Sequence, residues 1–204
     1  MKTLKESILS RSSHGAKGFE VQRRTEMIKE WLRKYNIENY TINKDFTIDV
    51  DGNVILVLKN LSKFPEYIQF GVVRGNFDCS NNNLISLRGC PRKVEGFFNC
   101  NYNHLKSLEN CPVEVGSSVY CFRNNLKSLV GAPKKVGGSF YCSNNQLKSL
   151  EGAPEKVEGD FDCSHNKLTS LEGAPKEVER FDCGGNSVRL TREDVRKVCR
   201  VKIW

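Results

Sequence analysis

The sequence predicts an α/β solenoid, in which short repeats stack into a curved parallel β-sheet and are joined by short extended or turned return segments. Three observations predict it: a cysteine that recurs every 21 residues, an asparagine three residues after each cysteine, and leucines at fixed distances beyond the asparagine. A multi-position pattern with a period of this length is typical of stacked repeats. A solenoid exposes core at both ends, so we expect a helix-plus-strand cap before the repeats and a cap helix after them.

The length and composition of the chain bound its class. Its 204 residues suffice for one domain with small appendages. We find no signal peptide near the N-terminus and no apolar run that approaches the ~18 residues of a transmembrane helix. We therefore expect a cytoplasmic protein, without membrane association, whose nine cysteines are reduced thiols.

The region before the repeats divides into two predicted parts. Residues 1–19 contain a Ser/Gly-rich stretch and are predicted to be a flexible segment, either a frayed terminus or a docking peptide. Residues 20–72 are predicted to form the N-terminal cap. Apolar residues at helical spacing predict a helix over 20–35, and alternating apolar residues around Asp51–Gly52 predict a β-hairpin.

Residues 73–190 are predicted to be the solenoid, with six repeats, or rungs. The recurrent cysteines are Cys79, Cys100, Cys121, Cys142, Cys163 and Cys183. The asparagines are Asn82, Asn103, Asn124, Asn145, Asn166 and Asn186. Strand alternation directs each cysteine, and the apolar residue two positions before it, into the interior. The asparagine amide is predicted to bond backbone groups of its own and the neighbouring rung.

The cysteine column has two interpretations. Free cysteine behaves as a small apolar residue, so the column is predicted to be part of the core. The alternative is a redox or metal site, but the chain contains no C-x-x-C spacing of the kind that binds zinc. We expect no metal and no other cofactor.

Residues 191–204 are predicted to be the C-terminal cap helix. Thr191 and Asp194 have the spacing of a capping box, with Asp in place of the usual Glu. Val195, Val198 and Cys199 would then lie over the last rung.

The last rung, VERFDCGGNSV, fits the pattern L-x-x-L-x-L-x-x-N-x-L with Phe and Cys at two leucine positions. The chain thus resembles a leucine-rich repeat protein of the short bacterial and bacteriophage type, over roughly residues 54–190. The resemblance implies a curved sheet whose strands line a concave face, and a bacterial or phage origin. Some bacterial relatives are ubiquitin-ligase effectors, but their catalytic domain follows the repeats, so no catalytic residue carries over and no enzyme activity is expected.

The concave face is the candidate site. Its outward residues are predicted at positions −3, −1 and +1 from each cysteine. Aromatic residues cluster there in the middle rungs: Phe97, Tyr120, Phe122 and Tyr141, with Tyr102 and Arg123 at the edge. Exposed aromatics with an arginine are typical of protein interfaces, although strand surfaces also favour aromatics on their own. Asp160, Asp162 and Asp182 form an acidic cluster that is either a solvated surface or a site for a cation or basic segment.

The charge distribution argues against nucleic-acid binding. The net charge is +8, but residues 73–188 contain 14 Lys and Arg against 13 Asp and Glu. A solenoid that binds nucleic acid needs a basic stripe along its rungs. The sequence therefore favours a non-enzymatic scaffold that binds an unidentified protein. The alternative is a structural or virion-associated protein held through residues 1–19.

Overall fold

The computed structural model describes residues 4–203, and the side chains from residue 18 onward. It contains two helices, α1 (Leu4–Lys34) and α2 (Arg192–Val198). Its strands, in chain order, are β1 (Tyr40–Ile42), β2 (Ile48–Val50), β3 (Val54–Ile55), β4 (Phe70–Val73), β5 (Phe77–Asp78), β6 (Lys93–Val94), β7 (Phe98–Asn99), β8 (Glu114–Val115), β9 (Val119–Tyr120), β10 (Lys135–Val136), β11 (Phe140–Tyr141), β12 (Lys156–Val157), β13 (Phe161–Asp162), β14 (Glu177–Val178), β15 (Phe181–Asp182) and β16 (Arg200–Val201).

The strands form a β-solenoid, parallel except for β1, with two seven-stranded sheets and a two-stranded sheet of β14 and β16. Sheet 1 has the order β1-β2-β4-β6-β8-β10-β12, and sheet 2 has the order β3-β5-β7-β9-β11-β13-β15. Within each rung, a strand of sheet 1 is followed after a short corner by a strand of sheet 2. The predicted solenoid is confirmed, but each turn carries a second strand where the sequence predicted only a return segment.

Five of the cysteine-bearing rungs have one more residue before the cysteine than the last rung, as in VEGDFDC against VERFDC. The corner between the two strands accommodates this residue. A column of backbone bonds links successive corners, such as the Gly96 amide to the Gly75 carbonyl at 3.0 Å and the Gly138 amide to the Ser117 carbonyl at 3.1 Å. A Cβ atom built on Gly96 would clash with the Asn76 side chain, and one on Gly138 would lie 2.7 Å from Ser118 Oγ. Glycine therefore allows consecutive corners to approach closely.

The solenoid begins one rung earlier than the sequence predicted. Val54 pairs with Phe77 in parallel register, so the strand β3 is the first strand of sheet 2. Val54 and Leu56 are fully buried and occupy the columns that later hold phenylalanine and cysteine. Sheet 2 therefore has seven strands where six were expected. The first rung is 23 residues from the next and lacks both cysteine and asparagine, which hid it from a search for the period.

The core is a set of continuous columns. The phenylalanine and cysteine columns are buried along almost the whole solenoid, together with the leucines that follow each asparagine. Neighbouring rings in the phenylalanine column stack, with centroids 5.7 Å apart both for Phe77 and Phe98 and for Phe140 and Phe161. Each rung buries its apolar residues only against its neighbours, as in other stacked repeats.

The N-terminal cap places the end of α1 over the first rungs. Ile28, Trp31 and Leu32 are buried, and the Trp31 ring lies 6.2 Å from the ring of Phe70. A hairpin is present, but the prediction that it turns at Asp51–Gly52 was wrong. Strands β1 and β2 pair in antiparallel register around residues 43–47, and Asp51–Gly52 instead forms the corner between β2 and β3.

The helix α1 begins at Leu4, whereas the sequence predicted a helix only from residue 20. Residues 4–19 include two glycines but no proline, so each of them retains the amide that a helix requires. Residues 1–3 and the side chains of residues 4–17 lie outside the described part of the structure. The flexibility of the segment therefore stays a prediction. Neither described helix has an apolar stretch suited to crossing a bilayer.

The C-terminal cap is a helix followed by a strand, not a helix throughout 191–204. The predicted capping box is present: Thr191 Oγ1 accepts from the Asp194 amide, and the Asp194 carboxylate accepts from the Thr191 amide. The helix ends at Val198, and β16 then pairs with β14 in parallel register. This strand covers the edge of β14, so hydrogen bonding to the last rung overrides helix propensity there.

Candidate protein-binding face

The candidate site is the outer surface of sheet 2, which consists of columns that run along the solenoid. We name each column by its distance from the cysteine of its rung: −3, −1, +1 and +2. In-register pairing of consecutive strands stacks equivalent residues directly, as for Asn99 on Tyr120 and Tyr120 on Tyr141. In the −3 and −1 columns a polar side chain bonds the backbone at most rungs, and an aromatic residue replaces it at some of the middle rungs.

In the −1 column, Asp or Asn usually accepts a backbone hydrogen bond from the residue two positions later. Asp78 Oδ1 accepts from the Ser80 amide at 2.9 Å, and Asn99 Oδ1 accepts from the Asn101 amide at 3.1 Å. Asp162 and Asp182 make the equivalent bond. Tyr120 and Tyr141 lack an acceptor near the backbone, so tyrosine at these two rungs forgoes this local bond.

In the −3 column, a polar side chain usually accepts from the amide of the next rung. Ser118 Oγ accepts from the Ser139 amide, and Ser139 Oγ from the Asp160 amide, both at 3.0 Å. Asn76 does the same for Phe97. Phe97 has no acceptor to offer, so it breaks this inter-rung chain of bonds.

The +1 column was predicted to face outward, and most of it does not. Ser80, Asn101, Ser143 and Ser164 are all buried. The strands of sheet 2 are only two residues long and end before the cysteine, so strand alternation stops there. Phe122 remains half-exposed, and Gly184 in the last rung is exposed.

In the +2 column the backbone is left-handed at every rung. The φ angles are 56° at Leu58, 53° at Asn81, 49° at Tyr102, 51° at Arg123, 53° at Asn144, 52° at His165 and 65° at Gly185. Glycine and asparagine tolerate this conformation, whereas other L-residues are disfavoured by about 1–2 kcal/mol. Tyr102, Arg123 and His165 therefore occupy a position that a smaller residue would fill at lower conformational cost.

The residues that depart from the column patterns in the middle rungs lie together. The Tyr120 and Tyr141 rings stack with centroids 5.2 Å apart and an interplanar angle of 10°. Phe97 contacts Tyr120 edge-on at 6.0 Å, and Phe122 contacts Tyr102 edge-on at 5.6 Å. We call this set the aromatic patch: Phe97, Tyr102, Tyr120, Phe122 and Tyr141.

Arg123 adjoins the aromatic patch, with its Cζ atom 5.2 Å from the centre of the Tyr102 ring. This distance is within the range of a cation–π contact. A groove of about 360 Å³ is lined by Tyr120, Phe122, Arg123, Tyr141 and Asp162, together with Ser143 and Asn144. The groove is shallow and open, and its base is the stacked pair of tyrosines. The structure thus places the six sequence-predicted binding residues on one continuous surface.

The asparagine column holds this surface in place from below. Asn124 donates to the Cys100 carbonyl of the preceding rung at 3.0 Å and to the Cys121 carbonyl of its own rung at 3.2 Å. Its Oδ1 accepts from the Leu105 amide at 3.0 Å. The other members, Asn82, Asn103, Asn145, Asn166 and Asn186, bridge rungs in the same way. Each turn after the strand is thereby fixed to the next.

The cysteines lie in the core beneath the face and are all free thiols. Burial raises the pKa of the thiols of Cys100, Cys121, Cys142 and Cys163 well above the ordinary value. A thiol with a raised pKa stays protonated at neutral pH and is a poor nucleophile. Among the residues that the structure describes, no group of His, Cys, Asp and Glu has the arrangement of a metal site.

Comparison of the chain with protein-family models, curated proteins and solved structures gives no significant match.

Proposed function

We propose that the protein is a non-enzymatic scaffold that binds a protein partner through the aromatic patch and Arg123. One observation carries the proposal. In the middle rungs, Phe97, Tyr120 and Tyr141 replace side chains that bond the backbone elsewhere in the −3 and −1 columns. Tyr102 and Arg123 lie beside them at left-handed positions that asparagine occupies in other rungs. Residues that break a local rule without a structural gain are expected at functional sites.

The chemistry of the surface favours a protein partner. Tyrosine, phenylalanine and arginine are enriched among the residues that dominate binding energy at protein interfaces. The groove is open and lies on the outer surface of a sheet, whereas small-molecule sites are usually enclosed. Seven rungs at ~4.8 Å span about 29 Å, which suits an interface of ~800 Å² per partner.

The test is the triple variant Tyr120→Ala, Phe122→Ala, Tyr141→Ala, used as bait in a lysate of cells that natively make the protein. We expect it to lose a partner that the wild type captures, since the anchors of the interface are gone, while its circular dichroism spectrum is unchanged. The matched control is Ile85→Ala, Val113→Ala, Val130→Ala, which removes three exposed aliphatic side chains from the return segments. Equal capture by the wild type and both variants would refute the proposal.

The alternative proposal is a structural or virion-associated protein that is held in an assembly through residues 1–19. Deleting these residues distinguishes this alternative from the scaffold proposal. A chain that is released from its assembly by this deletion, yet is unaffected by the triple alanine variant, would favour the alternative. A chain that needs the aromatic patch and tolerates the deletion would favour the scaffold.

We further propose that the chain is a leucine-rich repeat protein of the short bacterial or bacteriophage type. The asparagine bonds between rungs and the buried leucines at +5 and +8 support this assignment. In such a protein the outer surface of sheet 2 would be the concave face. Nine free, buried cysteines fit a reducing compartment, so we propose that the protein acts in the cytoplasm of a bacterium or of a phage-infected cell.

A further inference from the structure

We infer that the segment bound by sheet 2 is basic, with lysine or arginine side chains that lie between the stacked tyrosines and a row of carboxylates. The inference rests on the proposed protein-binding function and specifies the chemistry of its partner.

The −1 column supplies both components in one line. Along the solenoid it reads Ile55, Asp78, Asn99, Tyr120, Tyr141, Asp162 and Asp182. Tyr141 pairs in register with Asp162, and Asp162 pairs in register with Asp182. Adjacent strands are ~4.8 Å apart, so a cation over the Tyr141 ring is also within reach of the Asp162 carboxylate.

The carboxylates continue beyond the groove of the aromatic patch. Asp160, Asp162 and Asp182 line a second cleft of about 500 Å³ between sheet 2 and the C-terminal cap, together with Tyr141. Apolar side chains of the cap form its other wall, among them Leu190, Val195 and Ile203. Because Tyr141 and Asp162 line both spaces, the two form one continuous path along the face.

Within the part of the chain that the structure describes, these carboxylates form no ion pair, although Arg180 and Arg192 also line the second cleft. The ion pairs between described residues lie in α1, on sheet 1, in the return segments and in the C-terminal cap. Arg180 follows Asp160 in the −3 column and also lines the second cleft, but it forms no ion pair within 4.0 Å with a described carboxylate. Asp162 and Asp182 are like charges placed side by side, an arrangement that costs stability unless a cation is bound.

The negative charge is not required for the structural role of the column. Asn99 makes the same side-chain-to-backbone bond as its aspartate neighbours, with a neutral amide. An Asn at 162 or 182 would therefore keep the local bond and lose only the charge. The whole chain carries a net charge of +8, so the charge of these carboxylates is opposite in sign to that of the protein as a whole. Both facts point to a role for the charge in recognition.

The test uses a fluorescein-labelled hexapeptide amide that alternates arginine and serine, and a matched hexapeptide that alternates glutamate and serine. Fluorescence anisotropy at low salt measures binding of each peptide to the wild type and to two triple variants. The aspartate variant carries Asp160→Asn, Asp162→Asn and Asp182→Asn. The glutamate variant, the control, carries Glu109→Gln, Glu151→Gln and Glu172→Gln. The three glutamates are exposed at equivalent positions of the return segments. Their substitution removes the same amount of charge as the aspartate variant does, but from another surface.

We expect the arginine peptide to bind the wild type roughly tenfold more tightly than the glutamate peptide, and the aspartate variant to lose that preference. The glutamate variant should bind as the wild type does. Added salt should weaken binding to the wild type, since the charges are exposed. Equal binding of the arginine peptide to the wild type and the aspartate variant, or equal weakening in both charge variants, would overturn the inference.

The fate of the natural partner separates this inference from the proposed function. If the triple alanine variant loses the partner while the aspartate variant retains it, the scaffold function stands and the basic partner is refuted. Loss of the partner from both variants supports both.

Discussion

The interior and the outer face of sheet 2 follow different rules, although they come from the same strands. Inside, phenylalanine, cysteine and asparagine recur with little change from rung to rung, and each is buried or bonded identically. Outside, most residues of the −3 and −1 columns bond the backbone, but Phe97, Tyr120 and Tyr141 do not. Repetition inside serves stacking, whereas variation outside has no packing explanation and marks a surface under a different requirement.

The largest effect should come from the interior. Asn124→Ala leaves the buried Leu105 amide without its acceptor and removes one of the two asparagine donors from each of the Cys100 and Cys121 carbonyls. An unsatisfied buried group costs about 1–3 kcal/mol and a lost hydrogen bond about 1 kcal/mol, so we expect the free energy of unfolding to fall by about 3 kcal/mol. Tyr120→Ala on the outer face should cost only about 1 kcal/mol, the value of an aromatic pair. Urea denaturation measures both, and a larger loss for Tyr120→Ala would abolish the distinction between the two regions.

A smaller effect of opposite sign is expected in the +2 column. Tyr102→Asn and Arg123→Asn place in the left-handed conformation the residue that Asn81 and Asn144 already provide. Each should raise the free energy of unfolding by about 1 kcal/mol, because asparagine tolerates this backbone, and each should weaken partner capture. The reverse change, Asn144→Tyr, is the control and should destabilise. Stabilisation without any loss of capture would remove these two residues from the binding site.

The smallest effect concerns the end of the core. Burial raises the pKa of Cys199 to about 11, from 9.0 for an exposed thiol. The folded state therefore favours the neutral thiol, so its contribution is complete below pH ~9 and is lost as the pH rises towards about 11. When the pH is raised from neutral to about 10, the free energy of unfolding of the wild type should fall. That of Cys199→Ala should fall by roughly 0.5–1 kcal/mol less, because the variant has no thiol to ionise. Identical pH profiles in urea denaturation would show that Cys199 is not protected by burial.

The sequence predicted the solenoid because its period and its core columns are local patterns. It also predicted the capping box at Thr191, which involves residues only three positions apart. Prediction from the sequence failed where a residue's structure depends on its pairing with the neighbouring rung. The Val54 strand lacks the marker residues and is recognisable only from its pairing with Phe77. The +1 column was predicted to be exposed because strand alternation was extended past the point where the strand ends.

The candidate residues were also identified from the sequence, since aromatic side chains interrupt otherwise regular columns. The sequence did not show which backbone hydrogen bonds these residues replace. Whether Tyr120 replaces a hydrogen-bonding residue depends on what Asp78 and Asn99 do at the same position, and side-chain bonds to the backbone are visible only in the fold. The left-handed backbone at Tyr102 was likewise hidden, because neither tyrosine nor arginine is typical of that conformation.

By itself, the sequence of this protein determined the repeat, the identity of the core and the position of the variable surface. These follow from spacing along the chain, which sets which side chains share a column. Only the tertiary structure decided the number of rungs, the second strand in each turn and the cost of the outer residues. Those features depend on contacts between residues about 21 positions apart, and such contacts exist only after the rungs have stacked.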